Sequence, residues 1–418
     1  MTTTAVQALP QDLRVDHWAE RVRSELVSNI LPFWPRHVMD RENGGFYGIV
    51  DSDLRVRKDS VRASVINTRI LWTYSAAARL VDPAWREVAD WAASYLNAKF
   101  WDAEYGGLYW MLDHHGFPVS DRKQTYSQAF GIYAFAEHFR MTGEHASLQR
   151  AKTLFELVEQ HCSDPGFGGY LEARGRRWQA LDDVRLSDKD LNSPKSMNTH
   201  LHVLEGYTNL LRAWPDARLK NAHRALLKTM LERIVDPATW HLKLFFDERW
   251  NSLCDHVSFG HDIEGSWLLV EAAEVLGDAA LIDEARRTAV NMAEAAITGL
   301  DRDGSMLFEA DGAGRIVDDR KHWWVQAESV VGFYNAWQIS GDERFRTIAR
   351  RAWDYIESSV VDRLHGEWHA KLSREGRPLT EAEEPEAYLV GPWKCPYHNA
   401  RVCYEMLKRL GDTGERAP

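Results

Sequence analysis

Six short stretches, spread over some 330 positions, carry the side chains able to move protons or grip a polar ligand. They are Arg69; Tyr126 with Gln128; Asn198, His200 and His202; His261 with Glu264; Gln326 with Glu328; and His398. An imidazole, with an ordinary pKa of about 6.5, both takes and gives a proton near neutrality. A lone histidine on a helix is more often structural than catalytic, but His261 has Glu264 at i+3 on the same helical face. A carboxylate there orients the ring and raises its basicity. His200 and His202, two apart on a helix, face nearly opposite ways, so they are not a chelating pair and at most one points inward. Arg69, between Asn67 and Trp72 in apolar surroundings, requires an anionic or strongly polar partner from the protein or a substrate. No His-Glu-x-x-His or Cys-rich spacing is present, so no metal is expected. Nor is there a Gly-rich dinucleotide fingerprint, so no redox cofactor is expected.

The chain holds eighteen tryptophans, many beside these stretches: Trp110, Trp178, Trp250, Trp323, Trp324, Trp368 and Trp393. Any one of them is as readily core filler as ligand platform. The Trp323-Trp324 pair is different, because neighbours on a helix point about 100° apart and cannot both face one core. One ring is then free to present a flat apolar face to the C–H face of a sugar.

The elements that must position these groups follow from a repeat. Gly44-Gly45-Phe46-Tyr47, Gly106-Gly107-Leu108-Tyr109, Gly168-Gly169-Tyr170, a weaker Leu244-Phe245-Phe246, Gly304 to Phe308 and Gly366-Glu367-Trp368 form six copies, with a step of 62 residues wherever the spacing is undistorted. Such a period marks supersecondary units too small to bury their own apolar faces. After each copy come apolar residues at i, i+3, i+4 and i+7, as in Leu201, Leu204, Tyr207 and Leu211, which reads as a helix. A breaker such as Asp82-Pro83 or Gly277-Asp278 ends it, and a second helix follows, over 84–98, 145–160, 279–297 and 343–360. The expected unit is helix, short two-stranded hairpin, helix. Six of them predict an all-α fold, an (α/α)6 barrel with six inner and six outer helices and short β-hairpins at one end; an open solenoid is the competing arrangement. Closure would bring the equivalent inner-helix ends, and all six stretches, to one axis.

No linker interrupts the pattern, so one domain is expected over 12–411. The formal charge of -11 argues against a nucleic-acid partner. Met1 to Asp16 lacks the pattern of a signal peptide, and no apolar run approaches a membrane span. Cys162, Cys254, Cys395 and Cys403 lack a disulfide or zinc spacing, so a cytoplasmic location is expected.

The stretches Glu42 to Gly48, Arg69 to Thr73, Met197 to Glu205, Gly260 to Glu264, Trp323 to Glu328 and Gly391 to Asn399, with Asn29 to Trp34 before them, resemble the cellobiose 2-epimerases of the N-acylglucosamine 2-epimerase superfamily. The resemblance runs nearly end to end and implies an (α/α)6 barrel without an essential metal. It implies an acid/base pair at His261 and His398, with Glu264 partnering the first. It places Arg69 and His202, the latter as a neutral donor, around the C1–C2 oxygens of a substrate. Tyr126, Asn198, Trp324, Glu328 and Trp393 resemble sugar-contacting positions, and Asp190 is a looser match in a long loop.

The implied reaction inverts C2 of an aldose, which requires ring opening, removal of a proton from carbon and its return on the other face. Its implied substrate is the reducing-end glucose of a β-1,4 disaccharide. A monosaccharide 2-epimerase or mannose–fructose isomerase is the near alternative, and Glu264 with Glu328 leaves a glycoside hydrolase as a distant one. A small sugar is the only partner expected, and oligomeric state is not legible.

Overall fold

The computed structural model of the chain describes residues 17–411; residues 12–16 of the expected domain, and the whole of Met1 to Asp16, lie outside them. Twelve long helical rods alternate in two layers among the described residues. The outer ones are α1 (18–37), α3 (86–100), α5 (His145–His161), α7 (217–234), α9 (Ala279–Ala296) and α11 (343–360). The inner ones are α2 (Ser64–Leu80), α4 (Thr125–Thr142), α6 (Met197–Ala213), α8 (Phe259–Leu276), α10 (Trp323–Ser340) and α12 (Tyr397–Arg409). Each inner helix packs on the next, and α12 packs on α2, so the ring is closed. Inner helices form the buried layer of the ring: every residue of α2 from Ser64 to Ala78 is buried, polar side chains included. No helix among the described residues is long and apolar enough to cross a membrane.

All six units hold a tight turn closed by one bridge each: Met39 to Phe46, Trp101 to Leu108, Ser163 to Tyr170, Val235 to Leu242, Leu300 to Met306 and Val361 to Trp368. The fourth copy is therefore at Trp240–Leu242, upstream of the expected Leu244–Phe246. Trp240 takes the left-handed backbone (φ 64°) that Gly168 takes (φ 74°) in the preceding copy, so glycine was absent as a signal. At Gly169, also left-handed, a Cβ would stand 2.5 Å from His200 Nε2, so a side chain there would displace that ring.

The expected local hairpins form, as in Met111–Leu112 with Pro118–Ser120 and Glu309–Ala310 with Ile316–Asp318. The two-residue strand before an inner helix also pairs with the next unit: Arg62–Ala63 with Met111–Leu112, Lys123–Gln124 with Ala173–Arg174, Lys195–Ser196 with Phe245–Phe246, Val257–Ser258 with Glu309–Ala310, and Lys321–His322 with Lys371–Leu372. A bridge from Val50 to Val390 joins the first unit to the last. These ladders staple neighbouring units and hold the inner-helix openings at one end of the toroid. Beneath them, Arg62–Asp40, Lys123–Asp102, Lys195–Asp164 and Lys321–Asp303 repeat one ion pair at 2.5 to 3.0 Å, its cation buried each time.

Inner helices approach closely through glycine. A Cβ on Gly206 of α6 would lie 2.7 Å from the Ala129 carbonyl oxygen of α4, and one on Gly332 of α10 lies 2.5 Å from that of Ile263 on α8. Backbone cannot swing aside as a side chain can. Gly206→Ala is therefore expected to destabilise by about 1–3 kcal/mol through overpacking, although alanine is the better helix former by roughly 1 kcal/mol. An unchanged or raised urea midpoint would contradict this.

Candidate active site

The openings of the six inner helices surround one cavity of about 750 Å³. Arg69, Tyr126, Asn198, His202 and His261 line it, as do Glu264, Trp324, Trp393, His398 and, from the loop before α6, Asp190. Not every candidate faces it. Gln128 and Gln326 turn outward, each accepting the backbone N–H of a turn residue, Leu108 at 2.7 Å and Met306 at 2.9 Å. His200 does the same for Tyr170 at 2.8 Å while donating from Nδ1 to the Ser196 carbonyl at 2.6 Å, so its role is structural. Asp262 holds Leu242 equivalently at 2.7 Å, which leaves His261 and Glu264 on the other side of α8.

His261 and His398 both stand against the Trp324 indole, at centroid distances of 4.7 and 5.6 Å. Each is anchored through Nδ1. The expected pairing of His261 with Glu264 is not made: Nδ1 of His261 lies 2.8 Å from Ser258 Oγ, a hydroxyl that serves either tautomer. Glu264 is instead taken by Arg401 Nη2. His398 donates from Nδ1 to Glu328 Oε1 at 2.8 Å. Glu328 is thus not a sugar contact as expected: it stands behind His398, with Oε1 also accepting from Arg401 at 2.7 Å and Oε2 from Trp267 Nε1 at 3.0 Å.

The opposite wall holds Arg69 and His202. Arg69, fully enclosed, donates to Tyr126 Oη at 2.7 Å and lies over the faces of Phe130 and Tyr397 at 4.3 and 4.7 Å, so its partners are a hydroxyl and π-electrons. His202 packs against Tyr126 and Phe130, with Nδ1 2.9 Å from Glu205 Oε2. Glu205 Oε1 accepts in turn from Arg401 Nη1 at 2.5 Å and from the Tyr397 hydroxyl. Asp190 accepts from the Ser187 amide and hydroxyl, both at 2.8 Å, which shapes its loop at the rim.

Arg401 is the residue the sequence reading missed. One guanidinium joins Glu205, Glu264 and Glu328, from three inner helices, beneath both walls. The available signal was an arginine at i+3 from His398. Glu264, Glu328 and His398 bring candidate metal-ligand atoms within 4.8 Å of one another, but the positive charge between the two carboxylates is Arg401 itself.

Burial sets the protonation states. Burial and the presence of His202 push His261 down to about 3; burial, Arg401 and the other site cations push His398 well below its usual value. Both rings are neutral bases at rest. Burial alone would raise Glu205, but Arg401, His202 and Tyr397 outweigh it and hold the carboxyl down at about 2. Burial and the neighbouring Glu328 raise Glu264 to about 7 against the pull of Arg401. A folded-state value above the unfolded one means stability is complete below the unfolded value and is lost as pH rises through the folded one. Glu264→Gln, permanently neutral, should therefore gain stability relative to the unsubstituted protein between pH 5 and pH 8. Urea midpoints of the two proteins at both pH values test this, and a constant difference contradicts it.

Neutral bases facing a cavity walled by indole and arginine suit proton transfer at the carbon of a polyol, and the class is a carbohydrate isomerase on an (α/α)6 barrel. Residues 44–390 match the family model described as N-acylglucosamine 2-epimerase. The cellobiose 2-epimerase of Bacteroides fragilis is 44% identical over 389 residues, spanning 93% of this chain and 98% of that one. One from Ruminococcus albus is 37% identical over 390 residues, spanning 93% and 98%. The solved cellobiose 2-epimerase of Bacillus thermoamylovorans superposes with a TM-score of 0.88 at 39% identity, covering 94% of this chain and 100% of that one. The chain belongs to the N-acylglucosamine 2-epimerase family and is a sugar 2-epimerase.

Proposed function

We propose that the substrate is a β-1,4-linked disaccharide such as cellobiose, inverted at C2 of its reducing-end ring by His261 and His398. The observation that carries this reading is that two neutral imidazoles, anchored through Nδ1, share one indole neighbour in one cavity. With the ring open, the C1 aldehyde makes the C2 proton removable as an enediolate forms. One imidazole takes that proton and the other supplies one to the opposite face, the roles exchanging in reverse. Arg69 faces the developing oxyanion, a contribution of about 3 kcal/mol for a well-placed donor. Trp324 offers a stacking face, while Trp393 and Asp190 extend the wall toward the rim. The volume, in the upper range of small-molecule sites, supports a substrate larger than one hexose.

A hydrolase reading is disfavoured by the same geometry. An inverting pair needs roughly 6.5–9.5 Å between carboxyls with substrate between them. Glu264 and Glu328 share one guanidinium nitrogen instead.

Incubation in D2O with cellobiose, mannobiose, glucose and mannose, followed by NMR, tests the reading. Deuterium at C2 of both disaccharide epimers, without chain cleavage, is expected. Release of free glucose, or exchange confined to the monosaccharides, overturns it.

A further inference from the structure

The sixth unit fastens its inner helix in its own way. In four units a side chain in the first turn of the inner helix accepts the N–H of the bridged turn residue directly: Gln128 from Leu108, His200 from Tyr170, Asp262 from Leu242 and Gln326 from Met306. Asn399 holds the equivalent place on α12, five residues after Lys394, as Gln128 and Gln326 stand five after Lys123 and Lys321. It does not bond the turn. Glu367 is inserted between them: its Oε2 accepts from the Trp368 amide at 2.6 Å and from Lys394 Nζ at 2.5 Å, and its Oε1 from Asn399 Nδ2 at 2.7 Å and Trp34 Nε1 at 3.1 Å. The side chains of Glu367 and Lys394 are both fully buried. The backbone of Glu367 is left-handed (φ 67°), as Gly45, Gly107 and Gly169 are at the same place in the first three units. A glutamate there is strained, and it persists only where its surroundings hold it.

His398 shows what the insertion does. It stands four residues after Lys394, and the same place on α4, α6 and α10 holds Ser127, Thr199 and Val325, none of which lines the cavity. His398 does. The other imidazole of the pair, His261, has the equivalent place on α8, where the fastening departs as well: Val257 stands in place of the lysine, and the hook is the short side chain of Asp262.

We propose that Glu367 is a positioning residue, resting on the two-base reading, whose inserted carboxylate seats the opening of α12 so that His398 is aimed at the substrate carbon. Its loss should therefore disable one face of that carbon and spare the other.

Glu367→Gly combined with Lys394→Met removes the strained backbone and the buried ion pair together, and it leaves Asn399 to accept from Trp368 directly, as in the four other units. This variant is expected to fold, with a urea midpoint close to that of the unsubstituted protein. Inversion of cellobiose should fall by about 100-fold, the cost of a catalytic group misplaced by about 1 Å. In D2O it should keep slow C2 exchange in the same epimer as His398→Asn and lose exchange in the other. Removing Lys394 from the cavity wall would by itself weaken binding for both faces alike. Asn399→Ala covers the case in which the double variant does not fold. It leaves the ion pair whole and cuts only the tie to α12, and the same one-sided loss is expected.

NMR of ¹⁵N-histidine-labelled protein reads the position without any turnover. Signals identified by their disappearance in His398→Asn should move in both variants, and those that disappear in His261→Asn should stay. Unchanged inversion, equal loss on the two faces, or unmoved His398 signals overturns the inference. If the His398 signals move but the unsubstituted protein exchanges no C2 proton, the epimerase reading falls and the seating of His398 by Glu367 stands.

Discussion

Cellobiose turnover, on the proposed function, is expected to fall by about a thousandfold when His398 is replaced by asparagine, and by a comparable factor in His261→Asn. Asparagine keeps a polar group where each Nδ1 is held, by Glu328 in one case and Ser258 in the other, so the anchors remain satisfied while the base is gone. The two losses do not add. In the proposed scheme each imidazole serves one face of one carbon, so removing either should break the inversion, and the double variant should lie close to the singles. A surviving imidazole can still take and return a proton on its own face. In D2O each single variant should therefore exchange the C2 proton of one epimer slowly, with retention of configuration. Circular dichroism and urea midpoints near those of the unsubstituted protein show that the fold is intact. Inversion persisting in either single variant would contradict the two-base assignment.

Arg401→Leu is expected to cost about 3–5 kcal/mol of stability, the penalty for breaking a buried ionic network from one side. Three carboxylates, each about 1% exposed, lose their shared cation. Lysine is a poor substitute, because one ammonium cannot reproduce a planar fork that reaches three acids on two nitrogens. The loss should shrink as pH falls from 8 to 5, because the stranded carboxylates then take up protons and become neutral. Activity should vanish as well, since Glu328 loses its anchor and with it the hold on His398. A urea-derived loss below about 1 kcal/mol, or one independent of pH, would show that the network is not the keystone it is taken for here.

Much of the architecture was legible in the chain because it is periodic. The 62-residue step, the i, i+3, i+4 apolar rhythm and the breakers between helices are local signals, and they marked the alternating helices and the candidate stretches at the inner openings. The fourth turn was misplaced because Trp240 occupies a backbone region that glycine usually announces. The local hairpins were legible because adjacency along the chain is visible in a sequence, whereas the further pairing of strands with the next unit is not.

The chemistry divided along the same line. Residue type and spacing determined that imidazoles, carboxylates and an arginine belong near one axis, because helical periodicity encodes which face a side chain occupies. Only the closed toroid decided who bonds whom. Glu264 goes to Arg401, 137 residues away, and not to His261 three positions off. Glu328 goes to His398, and Glu205 to His202. The physical reason is electrostatic: in a buried, low-dielectric centre a carboxylate follows the nearest cation, and the position of that cation depends on where ring closure places α12.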